Sequence, residues 1–363
     1  MKKDTICVQG AHDPHNKTGA IAVPIYQSAT FAHPAVGQST GYDYARLQNP
    51  TREAVEALVA KLECAEDALA FTSGMAAFTT LMELFSPGDH IIATDDLYGG
   101  SIRYFNTIGK KKGLLVDYVD TSDLSAVQAT ITEKTRAIFI EAPTNPMMKL
   151  TDVSAVSRLI QDSGRDILLI VDNTFLTPYL QQPILLGADI VLHSGTKYLG
   201  GHNDTLAGFL AVNNSEIAEQ LRFIHKTIGA CLSPFDSYLI IRGIKTLALR
   251  MEKAQENAKK LADWLNNQPI VQQVYYPDMG AMISFTVDLP ETAHKILENV
   301  QLIQYAESLG GAETLITYPT LQTHADVPSA DKIARGIDEK LLRLSVGIEH
   351  VDDLIEDLER AIQ

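Results

Sequence analysis

The chain has 363 residues, of which 45% are hydrophobic and 21% charged, and its formal net charge is −15. These values are typical of a soluble globular protein long enough for two domains, and the acidic balance argues against a nucleic-acid partner because phosphate contacts need a basic surface. Cys7, Cys64 and Cys231 lie far apart, so we expect no disulfide framework and no metal site, and a reducing cytoplasm fits. Neither a secretory signal nor a membrane span is expected, because no apolar run is long enough for a span and the N-terminus lacks an apolar core.

Residues 1–50 are rich in Gly, Pro, His and Ser, which predicts an extended arm rather than a domain. Thr51 follows Pro50 as a candidate N-cap. Apolar residues then recur at helical spacing, which predicts a helix. They are Val55, Leu58, Val59 and Leu62.

Short apolar runs then alternate with helical windows such as Val153–Ile160. This alternation predicts an α/β fold with a parallel sheet, which binds ligands at the carboxyl ends of its strands. The predicted strands are Ala68–Phe71, Ile91–Ala93, Leu114–Val119, Ala137–Ile140, Ile167–Val171 and Ile190–Leu192. Polar residues that directly follow these runs are Ser73, Glu141, Asp172 and Ser194.

The character of the sequence changes near residue 235. Asp236–Leu265 predicts one long helix, Val271–Tyr276 and Ala281–Val287 predict strands, and Val351–Ile362 predicts an amphipathic helix. We therefore predict an arm over residues 1–50, a large domain over residues 51–235 and a smaller α/β domain over residues 236–363.

Lys197 is the most informative residue, because it follows a predicted buried strand between Ser194, Thr196 and a pair of glycines. Burial disfavours an ammonium group, and a neutral amine forms a Schiff base with an aldehyde. Asp172 closes another apolar run and needs a cationic partner. The pyridine nitrogen of pyridoxal phosphate (PLP) is such a partner. The alternatives are a surface lysine in a glycine-rich loop and an aspartate that caps the next helix.

Four further positions suit the same ligand. Gly74 and Met75 begin a predicted helix, whose N–H groups would bind a phosphate. Tyr98 would stack on an aromatic ring, and Asn145 would reach a ring hydroxyl, although each could also be a simple turn residue.

Arg343 lies in an alternating apolar strand and would pair with a substrate carboxylate or, alternatively, with an internal glutamate.

Together these motifs resemble the Cys/Met-metabolism PLP enzymes, a family of cystathionine synthases and lyases, and the resemblance runs nearly end to end. It implies the aspartate aminotransferase-like fold type I. Gly195 departs from the family pattern, where Ala or another small residue is usual. The resemblance also implies that Tyr44 and Arg46 of the arm reach the phosphate of a neighbouring subunit, so we expect at least a dimer, and a tetramer is the usual family assembly.

The resemblance implies a role for each site residue. The catalytic residues would be Lys197, Tyr98 and Asp172. The cofactor would be held by Tyr44, Arg46, Ser73, Gly74, Met75, Tyr98, Asn145, Asp172, Thr174, Ser194, Thr196 and Lys197. The amino-acid substrate would contact Asn145, Ser308, Arg343 and Asp43.

Asp43 and Phe235 favour a synthase, because lyases of this family more often carry Glu and Gln there. Gly100 stands where methionine γ-lyases have Cys. We therefore expect a γ-replacement in which an O-acylhomoserine exchanges its acyl group for the thiol of cysteine or for sulfide. The alternatives are a lyase that cleaves cystathionine or cysteine, a PLP carrier without activity, and an α/β protein without cofactor. Tyr98 and Arg343 argue against the inactive carrier, which would lose one of them.

Overall fold

A computed structural model describes residues 1–13, 18–325, 327, 332–333 and 335–363. The described strands form a seven-stranded and a five-stranded sheet. The seven-stranded sheet contains β1 (Asp67–Phe71), β2 (His90–Thr94), β3 (Leu115–Val119), β4 (Thr135–Glu141), β5 (Leu168–Asp172), β6 (Ile190–Ser194) and β7 (Gly208–Val212). The five-stranded sheet contains β8 (Val271–Tyr275), β9 (Met282–Val287), β10 (Gln304–Tyr305), β11 (Leu315–Thr317) and β12 (Leu341–Ser345).

The order of the first sheet is β1-β7-β6-β5-β4-β2-β3. β2 to β6 pair in parallel, and β7 runs antiparallel between β1 and β6. The fold class predicted from the alternation of strands and helices is therefore confirmed. The second sheet has the order β10-β11-β12-β9-β8. The two sheets use separate parts of the chain, and the division into an arm and two domains stays a prediction.

Helices cover both faces of the first sheet. Neighbouring strand residues point to opposite faces, so they pack against different helices. Val171 and Val191 pack in one apolar core with α2, whereas Ile170 and Leu192 pack in another with α3 and α9. The helices are α1 (Lys3–Gln9), α2 (Pro50–Glu63), α3 (Gly74–Leu81), α4 (Gly99–Tyr104), α5 (Lys110–Lys112), α6 (Leu124–Thr130), α7 (Val153–Ser163), α8 (Thr177–Leu180), α9 (Ser215–Ile228), α10 (Pro234–Ile244), α11 (Leu247–Asn266), α12 (Pro290–Asn299) and α13 (Val351–Ile362).

Four details differ from the sequence prediction, and the first three concern the arm, the start of α2 and β7. The arm is not wholly extended, because it begins with α1. The N-cap of α2 is Asn49 rather than Thr51, since the Asn49 side chain accepts the N–H groups of Thr51 and Arg52. The antiparallel strand β7 was also not predicted, although its five residues are fully buried.

The predicted single helix Asp236–Leu265 is two helices, α10 and α11. The break follows Gly243, whose carbonyl accepts bonds from Thr246 N and from the Arg250 guanidinium. That carbonyl is therefore bonded outside the regular helical ladder. Among the helices of the described chain, none is both long and apolar enough to cross a bilayer.

Candidate active site

A cavity of about 230 Å³ lies at the carboxyl ends of the parallel strands, between the first sheet and residues of the second. Strand ends supply part of its wall, as expected for a parallel α/β sheet. Predicted site residues that line this cavity are Ser73, Gly74, Met75, Tyr98, Asn145, Asp172, Thr174, Ser194, Thr196, Lys197, Ser308 and Arg343. The cavity thus brings together residues that are far apart in sequence, from Ser73 to Arg343.

Lys197 lies half-buried in this cavity and is not a surface lysine. Its Nζ donates to Ser308 Oγ at 2.8 Å. Burial and, to a lesser extent, the nearby Arg343 charge lower the pKa of Lys197 to about 8, against the opposing effect of Glu307. Ser308 has a φ of 121°, a backbone conformation that non-glycine residues adopt only under strain. The site therefore holds an amine close to its neutral form at a fixed position.

Asp172 ends β5 and does not cap a helix, since α8 begins after Leu176. Its Oδ1 accepts bonds from Thr174 N at 3.0 Å and from Thr174 Oγ1 at 2.5 Å. Burial raises the pKa of Asp172, whereas the Thr174 bonds and the charge of His193 lower it. Within the described chain, no lysine or arginine forms an ion pair with this carboxylate. Asp172 is therefore free to accept a cationic ligand.

Glu141 lies beside Asp172, in register with it on the neighbouring strand β4. Its Oε2 accepts the backbone N–H of Tyr98 at 2.8 Å, which fixes the start of α4. Burial and the Asp172 charge raise the pKa of Glu141 well above its usual range. Gly100 leaves room for the Tyr98 ring, because a Cβ at position 100 would stand 2.4 Å from Tyr98 Cε1.

The N-terminus of α3 faces the cavity with its free N–H groups. Ser73 is the N-cap, and its Oγ accepts the N–H of Ala76 at 3.0 Å. Gly74 allows Ser194 to approach, since a Cβ would lie 2.9 Å from Ser194 Cβ. The Thr196 hydroxyl already bonds with the backbone of Ala207. The helix N-terminus and Ser194 together form a suitable anion site.

Arg343 is only 1% exposed, yet it forms no ion pair with a carboxylate in the part of the chain that the structure describes. Its guanidinium donates to Asn145 Oδ1 at 2.7 Å and to Ser308 O at 3.1 Å, while its Nε has no partner. Burial lowers the pKa of Arg343 to about 10. The alternative of a structural salt bridge is thereby wrong, and the guanidinium can accept an anionic ligand.

Three predicted residues lie outside the cavity of their own chain. Asp43 contacts His33 and Ser39 within the arm. Tyr44 is 46% exposed, and the Arg46 guanidinium lies over its ring and donates to the Lys226 carbonyl.

The sequence did not single out several lining residues, of which Glu307 carries charge. Glu307 follows the short strand β10 and precedes Ser308. A second cleft, of about 870 Å³, adjoins the cavity and shares Thr196, Leu206, Glu307 and Ser308 with it. The signal available in the sequence was an acidic residue directly before Ser308, a predicted substrate-binding residue.

These groups fit PLP. A lysine of lowered pKa suits the aldehyde, and a half-buried carboxylate with no lysine or arginine partner among the described residues suits the ring nitrogen. A helix N-terminus suits the phosphate. The unpaired guanidinium remains for the carboxylate of an amino acid. The fold and site define a PLP-dependent enzyme of fold type I.

Residues 4–363 match the family described as Cys/Met metabolism PLP-dependent enzyme, and the chain belongs to this family. It is 46% identical to the cystathionine γ-lyase of Bacillus subtilis (strain 168), over 100% of both chains. It is 49% identical to a cystathionine γ-synthase/O-acetylhomoserine (thiol)-lyase of the same organism, over 95% of this chain and 92% of the relative. A crystal structure of a cystathionine γ-lyase from Lactobacillus plantarum, complexed with L-serine, superposes with a TM-score of 0.95 at 44% identity and covers 99% of this chain and 98% of its own. The chain is therefore a PLP-dependent enzyme of trans-sulfuration, and both synthases and lyases are its relatives.

Proposed function

We propose that the protein catalyses a γ-replacement, in which the thiol of cysteine replaces the acyloxy group of an O-acylhomoserine to give cystathionine and a free carboxylate. Sulfide in place of cysteine would give homocysteine. The observation that carries this proposal is the cleft of about 870 Å³ that adjoins the Lys197 cavity. A replacement needs space for a second substrate beside the first, and this cleft provides it.

Cofactor binding follows from the cavity. Lys197 would hold the PLP aldehyde, Asp172 the ring nitrogen, and the N-terminus of α3 with Ser194 the phosphate. Thr174 orients Asp172 through its two hydrogen bonds. When bound, PLP supplies an electron sink for negative charge at the carbon atoms next to the substrate amine.

The protein's own residues would position the substrate and move its protons. Arg343 and Asn145 would bind the α-carboxylate, because the guanidinium is buried and lacks a carboxylate partner. Lys197 would remove a proton from Cα and one from Cβ, so that the acyloxy group can leave Cγ as a carboxylate. It would return protons to Cβ and Cα after the thiol has added at Cγ, which suits a group whose pKa is lowered to about 8. Tyr98 covers the same cavity and would assist this transfer.

Glu307 stands where the cavity and the cleft meet. Its carboxylate would attract the ammonium group of the incoming cysteine and turn the thiol toward the cavity. Because a cystathionine substrate carries an ammonium at the same distance, this contact serves a lyase equally well. Asp43 and Phe235 of the sequence support the synthase, and the curated relative named as both γ-synthase and O-acetylhomoserine (thiol)-lyase supports it too.

The active unit would be an oligomer. Tyr44 and Arg46 lie on the arm, outside the cavity of their own chain. They would complete the phosphate site of a neighbouring subunit, so a dimer is the smallest complete unit.

A direct comparison of rates tests the reaction. Purified holoenzyme is given an O-acylhomoserine with cysteine in one assay and cystathionine in the other, at equal concentrations. We expect kcat/KM for cystathionine formation to exceed that for cystathionine cleavage. Faster cleavage would make the protein a lyase, the function that its 46% identity to a cystathionine γ-lyase favours.

A further inference from the structure

A fully buried contact between a histidine and a glutamate lies behind the cavity and has no role in the steps above. His193 Nε2 and Glu63 Oε1 are 2.6 Å apart, and both residues are 0% exposed. Asn173 Nδ2 donates to the same Glu63 oxygen at 3.0 Å. His193 Nδ1 and Glu63 Oε2 have no hydrogen-bond partner among the described residues. Buried polar groups of this kind are costly, so the pair calls for a functional explanation.

The pair lies on the opposite face of the sheet from the ligand cavity. Successive strand residues point to opposite faces. Asn173 and His193 contact Glu63 of α2, so Asp172 and Leu192 point to the other side, where Asp172 lines the cavity. The strand ends are tied together, because Asn173 N donates to Leu192 O at 3.0 Å.

The charges around Asp172 come from both neighbouring strands. Glu141 on β4 is in register with it and disfavours a second negative charge. His193 on β6 acts in the other direction, because its charge lowers the pKa of Asp172 that burial raises. Glu63 contacts the imidazole from α2, and Leu192, the residue before His193 on β6, is in register with Asp172, so His193 is adjacent in the chain to the residue that pairs with Asp172.

We propose that His193 is a positioning residue for Asp172. Its imidazole is positively charged, Glu63 holds that charge from behind, and the charge keeps Asp172 as a carboxylate toward the ring nitrogen of PLP. The inference rests on the Asp172 role in the proposed function, and it does not depend on whether the enzyme is a synthase or a lyase. A neutral imidazole that merely donates to Glu63 would add no positive charge near Asp172.

The test follows the protonation of the cofactor nitrogen itself. Holoenzyme is prepared with PLP carrying ¹⁵N in the ring, and its resonance is recorded at neutral pH for the wild type and for His193→Gln. Glutamine retains a donor to Glu63 and removes the charge. We expect the wild-type resonance at the pyridinium position, a shift toward the neutral-pyridine position in His193→Gln, and weaker PLP binding in that variant.

His90→Gln is the matched control. His90 is also a buried strand histidine, 4% exposed, and its Nε2 lies 3.2 Å from Asp117 Oδ2. It is the first residue of β2, at the end of the strand away from the cavity. Its substitution should leave the resonance in place. An unchanged resonance in a folded His193→Gln variant would overturn the proposal, as would a neutral pyridine in the wild type.

Two further measurements test the proposal if the His193→Gln chain fails to fold. Glu63→Gln should move the resonance in the same direction, because it removes the counter-charge that holds the imidazole proton. In wild-type protein labelled with ¹⁵N-histidine, His193 should give an imidazolium signature, and a neutral tautomer would refute the inference. If cystathionine does not form while these responses appear, only the proposed reaction is wrong.

Discussion

Lys197 and Arg343 are two basic side chains that line the same cavity, and they differ in how readily they lose a proton. Burial lowers the pKa of Lys197 to about 8 and that of Arg343 to about 10. Near neutral pH the lysine is therefore close to releasing its proton, while the guanidinium keeps its charge. The first suits covalent attachment of an aldehyde, and the second suits a permanent contact with a carboxylate.

The lowered pKa of Lys197 predicts how the apoenzyme takes up PLP. Only the neutral amine attacks an aldehyde, so the association rate should rise with pH, with its midpoint near the Lys197 pKa of about 8, and level off at higher pH. Stopped-flow absorbance measures this profile. Glu307 raises the pKa of Lys197, so Glu307→Gln should move the midpoint to lower pH. A midpoint that stays in place or moves upward would contradict the assignment.

Arg343→Lys should weaken binding of the amino-acid substrate. Lysine is a point charge and cannot replace both N–H groups of the guanidinium in a bidentate contact. A hydrogen bond to a charged group contributes about 1.5–3 kcal/mol, so kcat/KM should fall roughly 10- to 100-fold, mainly through KM. Arg136→Lys, at the partly exposed Asp89 pair, is the control. Unchanged KM in Arg343→Lys would place the carboxylate elsewhere.

The sequence predicted most of these residues because their surroundings are local. Asp172 and Ser194 follow apolar strands, and Lys197 follows Ser194 in a short glycine-rich segment. Glu307 was missed, because its place in the cavity depends on how β10 and the following residues pack, which periodicity does not report. The buried His193–Glu63 contact was missed for the same reason, since 130 residues separate its partners in sequence.

At the scale of elements, β6 and β7 explain why residue 195 is glycine. A Cβ at Gly195 would stand 2.5 Å from Cε2 and 2.9 Å from Cδ2 of Phe209. Phe209 is fully buried in β7, the strand that the sequence analysis did not predict. The large ring thus occupies the space that a side chain at position 195 would need.

This contact predicts a compensating pair of substitutions. Gly195→Ala should lower the free energy of unfolding by about 1–3 kcal/mol, because it overpacks the core. Phe209→Leu in the same chain should recover part of that loss, and urea titration of all four chains gives the coupling energy. Gly109→Ala is the control, since its nearest neighbour would be 3.4 Å away. Strictly additive effects would show that Phe209 does not determine residue 195.

Elements with a clear period were predicted well, and those set by tertiary contacts were not. The apolar face of α13 and the buried parallel strands are evident in the sequence. At the break between α10 and α11 the Gly243 carbonyl accepts from the Arg250 guanidinium, whose other nitrogen donates to the Tyr198 carbonyl, 52 residues away in sequence. No local propensity signals such a break.

At the scale of the whole molecule, Arg46 and Lys197 of one chain do not share a cavity. If the sites are shared between subunits, mixed oligomers of Arg46→Ala and Lys197→Ala chains should regain activity. A random mixture of dimers has one intact site in each heterodimer, which gives about a quarter of the wild-type activity. Activity no higher than that of the separate variants would show that each chain builds its site alone.

Every step above depends on the attachment of the cofactor to Lys197, and reductive trapping shows whether it is attached there. Holoenzyme is treated with borohydride, digested, and analysed by mass spectrometry for the lysine that carries the reduced pyridoxal phosphate group. We expect the label on Lys197 and its absence from Lys197→Ala. A label on another lysine, or none on the wild-type protein, would contradict it.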